Sequence, residues 1–123
     1  MSQRRILDLL LFGAVFILTG CSKTTVRLTG TPGAYYSGYV LHDCDREPIQ
    51  KDHRKLPDAD VDFGLYLGTS VRLRECEFRK ENTNTTLAAE IRTRGLKDTI
   101  TAPPGTTGVR VKRQGKTFSS DVF

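Results

Sequence analysis

At 123 residues the chain is the size of one domain, and removing a short leader would still leave enough for one core. Apolar residues make up 37% and charged residues 27%, with no Trp and one Met, an ordinary globular composition whose core must come mainly from Val, Leu, Ile, Phe and Tyr. The net charge of +5 is spread along the chain, without a basic cluster or an interleaved aromatic platform, which argues against nucleic acid as a partner.

Residues 1–20 divide into a basic start with Arg4 and Arg5, an apolar run from Leu9 to Leu18, and Thr19-Gly20-Cys21, the three-part plan of an export signal. The apolar run is about ten residues, or about fifteen counted from Ile6 to Gly20, whereas a bilayer core takes roughly twenty. Asp8 adds to the case against a permanent span, because a carboxylate near the bilayer centre costs on the order of 2.5–3.5 kcal/mol and is harmless at the edge of a signal. The expected division is an N-terminal signal helix over residues 1–20 and one domain over 21–123.

Leu18-Thr19-Gly20-Cys21 resembles the lipobox of bacterial lipoproteins, in which a branched apolar residue and two small ones precede a cysteine. The resemblance implies cleavage between Gly20 and Cys21, a diacylglyceryl group on the Cys21 sulfur and acylation of the new amino group, with palmitate as a typical chain. Each buried methylene adds about 0.8 kcal/mol and two or more chains hold stably, so the anchor would be firm. Ser22 after the cysteine is similar to the pattern exported to the outer membrane, facing the periplasm. Apart from this covalent lipid no cofactor is implied.

Thr24 to Thr29 alternates, with Val26 and Leu28 on one face, as in a half-buried strand. Pro32 and Gly33 then suit the second and third positions of a type II turn, which reads as a hairpin signal. Tyr35 to His42 has the aromatic and β-branched character of a strand, with Gly38 marking a bulge or a close backbone approach. Tyr35, Tyr36 and Tyr39 are the candidate binding face, weighed against a role in covering the sheet. Asp43 to Asp60 lacks an apolar period and contains two prolines, so it is expected as a long surface loop.

Val61–Leu67 and Ser70–Arg79 read as strands, the second with a bulge near Arg74-Glu75 where the apolar phase slips. Thr86–Thr93 is a further strand, with Leu87, Ala89 and Ile91 inward, unless it is a short helix. After the Pro103–Gly108 break, Val109–Lys112 and Thr117–Phe123 form a terminal hairpin about Gln114-Gly115. About seven strands and no helix beyond the leader predict an all-β fold, a small antiparallel sandwich of Ig-like or open-barrel form.

Cys44 and Cys76 remain after Cys21. Export places them where thiols oxidise, and a bridge would close a loop of about thirty residues, worth on the order of 3–4 kcal/mol; the alternative is that Cys76 is a buried core thiol. His42, Asp43, Cys44, Asp45 and His53 have metal-ligating chemistry, but their spacing matches no zinc pattern, and no metal site is expected. No serine occupies a nucleophile elbow and no glycine run suits phosphate, so an enzyme is not expected.

Val26-Arg27-Leu28-Thr29-Gly30, Leu56-Pro57, and Val109-Arg110-Val111 leading to Gly115-Lys116 also resemble the mycobacterial membrane protein small (MmpS) family of membrane-anchored β-sandwiches. That resemblance implies an accessory role beside an envelope transporter, although a lipobox here replaces the family's transmembrane helix. The first expectation is a non-enzymatic binding or structural module of the envelope, held to the membrane by lipid and contacting another envelope protein. The transporter accessory is the alternative, and a small metal-dependent enzyme, which requires His42 and His53 to converge, is the third.

Overall fold

The structure, a computed structural model, describes residues 24–43, 45–59, 72–93 and 96–123. Over these residues the chain is all β, with eight strands: β1 Thr25–Gly30, β2 Tyr35–His42, β3 Ile49–Lys55, β4 Leu73–Lys80, β5 Leu87–Thr93, β6 Leu96–Ala102, β7 Gly108–Gln114 and β8 Thr117–Val122. They form two antiparallel sheets, one ordered β1-β5-β6 and the other β3-β2-β4-β7-β8.

Period-two alternation places one face of each sheet in a common core. Val26, Leu28, Leu87, Ala89, Ile91, Ile100 and Ala102 face inward from the three-stranded sheet. Tyr36, Val40, Leu73, Cys76, Phe78, Val109 and Val111 meet them from the five-stranded sheet. Phe78 packs edge-on against Tyr36, with ring centroids 6.0 Å apart, a geometry the ring quadrupoles favour.

The turn after β1 has its expected chemistry. Ala34 N–H donates to the Thr31 carbonyl at 3.1 Å, and Gly33 supplies the positive φ of 82° that a type II turn requires at its third position. Yet it does not close a hairpin: β1 pairs with β5, while β2 pairs with β3 and β4. The turn carries the chain from one sheet to the other, since β1 lies at the edge of the three-stranded sheet and β2 inside the five-stranded one.

The expected loop from Asp43 to Asp60 is corrected by β3, whose residues Ile49–Lys55 pair along β2. β3 is an edge strand with almost no buried residue, so no core selects an apolar face and no alternation appears in its sequence. Its one irregularity, between Tyr36 and Gly38 of the partner strand, places an extra residue on β3, where His53 has φ 49°. Beyond β3, Asp58 reaches the other sheet: its N–H and C=O exchange hydrogen bonds of 2.8 Å with Leu28.

The bulge expected near Arg74-Glu75 is present: Leu41 pairs with Glu75 but His42 with Leu73, leaving Arg74 as the extra residue of β4. β5 is a strand with Leu87, Ala89 and Ile91 fully buried, and β7 and β8 close the expected hairpin, with Gly115 at φ 65°. β6 adds a strand beyond the expected set. The expected strand Val61–Leu67 lies outside the described residues.

Candidate binding face

The outward side of the five-stranded sheet collects the polar chemistry of the domain. Two cross-strand rows run over it, Tyr39–Glu77–Arg110–Asp121 and Leu41–Glu75–Lys112–Ser119, with Ser37 and Arg79 in the adjacent row. Acids sit on β4 and bases opposite them on β7, a pairing that stabilises an antiparallel sheet.

Glu77 is the centre. Its carboxylate is only 10% exposed and accepts from Arg79 Nε at 2.8 Å and from Arg110 Nε at 2.8 Å. Burial alone would push this carboxyl up, but the two guanidinium groups outweigh it and hold it below the ordinary glutamate range. The Glu77 hydrogen bond, with its charge, in turn raises the Arg110 pKa. Both guanidinium carbons lie over the Phe123 ring, at 5.2 Å for Arg79 and 4.9 Å for Arg110, within cation–π range. One row further along, Tyr39 Oη donates to Glu75 Oε1 at 3.0 Å, and burial together with this bond pushes the Tyr39 phenol up to about 12.

At the β3 edge, the Tyr35 and His53 rings stack with centroids 4.1 Å apart and planes within 3°. The His53 Nδ1 lies 2.8 Å from a Glu81 carboxylate oxygen. Tyr35 is 39% exposed, so this stack forms an open rim to the charged rows.

The three tyrosines therefore divide. Tyr35 and Tyr39 lie on the outward side, whereas Tyr36 is corrected to the core: it is fully buried, and its hydroxyl donates to Asp58 Oδ2 at 2.7 Å. Alternation along β2 makes a shared face for adjacent Tyr35 and Tyr36 impossible.

No protein-family model, curated protein or solved structure matches the chain.

The expected lipidation and cleavage positions, Cys21 and Gly20, lie outside the described residues, as does Cys44 of the expected bridge; Cys76 is 1% exposed in the core. His42 and His53 do not converge. His42 is buried at the end of β2, its Nδ1 and backbone N each 3.0 Å from Asp45 Oδ2, while His53 stacks on Tyr35 at the opposite end of that strand, roughly 20 Å away at a strand's rise per residue. Among the described residues no group of three His, Cys, Asp or Glu side chains is placed to hold a metal ion.

The Glu77 centre was not legible in the sequence, where no carboxylate pair stands out. A signal was present: Glu75 and Glu77 alternate with Cys76 and Phe78 after the bulge, which puts both acids on one side of a central strand.

Proposed function

We propose that the chain is a lipid-anchored protein of the cell envelope, in the outer membrane facing the periplasm, whose sandwich is a non-enzymatic binding or structural module. The lipobox-like Leu18-Thr19-Gly20-Cys21 carries the anchor, and the position of the first strand fits it. β1 begins at Thr25, and Thr24 is already buried, its hydroxyl 3.0 Å from that of Thr93. Four residue steps from Cys21 to Thr25 span at most about 14 Å, so acyl chains on Cys21 would hold the domain against the membrane instead of on a long tether.

In that position the Tyr39, Glu75, Glu77 and Arg110 rows, rimmed by Tyr35 and His53, offer another envelope protein a surface rich in aromatic and arginine groups, the residue types that dominate recognition. Mass spectrometry of the mature protein tests the anchor. A diacylglyceryl adduct on Cys21, with residues 1–20 removed, is the expected result. Cys21→Ser is expected to block processing; a variant that is cleaved and membrane-bound as before would overturn the proposal.

A further inference from the structure

Facing charged pairs across neighbouring strands are complementary throughout the described sheets, with one exception. Arg27 faces Glu90, Glu75 faces Lys112, and Glu77 faces Arg110, which faces Asp121. Arg92 of β5, however, lies directly opposite Lys97 of β6. Like charges at such a position repel and weaken a strand pair, so an anion that bridges them would bind with that repulsion relieved.

The surroundings favour an anion on this side. Arg27, Arg92 and Lys97 are all exposed on the outward face of the three-stranded sheet. They share one carboxylate there, Glu90, whose Oε1 is 3.3 Å from Arg92 Nη2. Asp98 is adjacent, with one carboxylate oxygen accepting from the Thr99 backbone N–H at 2.8 Å. A cleft of about 360 Å³ is lined by Glu90, Ile91, Arg92, Lys97, Asp98 and Thr99.

Its position in the chain names the source of the anion. Thr25 is the register partner of Arg92, so the Thr25–Arg92–Lys97 row is the part of the sheet nearest in sequence to Cys21. We infer that Arg92 and Lys97, supported by Arg27, dock on the phosphate of an anionic lipid headgroup in the bilayer that holds the anchor. This rests on the anchored reading above. The docking would set the orientation of the sandwich, turning the three-stranded sheet to the membrane and leaving the Glu77 face of the other sheet open to a partner.

The test uses the processed, lipidated chain in nanodiscs of phosphatidylcholine, with and without phosphatidylglycerol, doped with a lipid spin-labelled at its headgroup. Attenuation of backbone amide NMR signals is the readout. In discs containing phosphatidylglycerol, Thr25, Lys97 and Thr99 are expected to be attenuated well beyond Ser119 of the opposite sheet. Arg92→Gln/Lys97→Gln should lower the ratio of membrane-apposed to free orientations by roughly fivefold for each cation. Equal attenuation in both kinds of disc, or a double variant that behaves as the parent, overturns the inference. A response to inorganic phosphate as strong as that to phosphatidylglycerol would make this a free-phosphate site and overturn the membrane assignment. The mass of the Cys21 adduct, read on the same sample, separates the two proposals: unmodified Cys21 sinks the anchor, whereas a lipidated protein without the attenuation sinks only the docking.

Discussion

Glu77 on β4 and Arg110 on β7 stand directly opposite each other, and the carboxylate accepts Arg110 Nε at 2.8 Å with Nη2 at 2.6 Å from the same oxygen. Because Arg79 holds the other oxygen at 2.8 Å, one nearly buried acid ties two bases to the sheet. Glu77→Gln is expected to lower stability by about 1–2 kcal/mol at neutral pH, the value being reduced because both arginines are partly exposed. The Glu77 pKa is depressed in the folded state, so its contribution is present above the unfolded glutamate value of about 4.3 and is lost as pH falls through the folded value. Denaturant unfolding of parent and variant across acid pH checks this: the two stability curves should converge as the pH drops.

The Tyr39 phenol behaves in the opposite sense. Its folded pKa is raised to about 12 by burial and the Glu75 bond, so the stability it contributes is complete below the unfolded value of about 10 and is lost as pH rises toward and through the folded one. Tyr39→Phe should therefore flatten the alkaline limb of the pH–stability curve. In a spectrophotometric titration the same variant should lose a late-ionising phenol; loss of one that ionises near 10 would contradict the assignment.

Lys80 ends β4 on the core side with its ammonium among oxygens, its three N–H groups shared among Thr85 O at 2.7 Å, Pro103 O at 2.9 Å, Thr83 O at 3.2 Å and Thr106 Oγ1 at 3.3 Å. It ties the turn after β4 to the turn before β7. Lys80→Met keeps the apolar stem but leaves those acceptors unmatched, at an expected cost of about 2–3 kcal/mol. Hydrogen exchange should show faster opening at Thr85 and Gly105, with β1 and β5 unchanged if the fold persists.

Gly38 is the close approach anticipated on β2. A Cβ there would lie 2.2 Å from the Glu77 carbonyl oxygen and 2.7 Å from the Phe78 ring. Gly38→Ala is expected to destabilise by about 1–3 kcal/mol through overpacking, read as a lowered denaturation midpoint. Gly105→Ala, where nothing lies within 4 Å of the added carbon but φ is +93°, separates backbone strain from steric conflict.

Which residues face the core could be read locally wherever a strand has one buried side. Val26 and Leu28, Leu87, Ala89 and Ile91, and Val109 and Val111 declare their inward faces by alternation, and all are buried. So could the bulge at Arg74, because an extra residue shifts that phase, and the turn at Pro32-Gly33, because its dihedral angles restrict the residues it accepts.

Tertiary structure alone decided partnership. Nothing local distinguishes a turn that closes a hairpin from one that crosses between sheets, so β1 joined β5 and not β2. Edge strand β3 has no buried face to pattern it, and its pairing with β2 emerges only in the assembled sheet. The meeting of Glu77 with Arg110 across 33 residues, and of Arg92 with Lys97 across a hairpin, depends on register. Register is set by the packing of two whole sheets, since a slip of one residue would turn every inward side chain out to water.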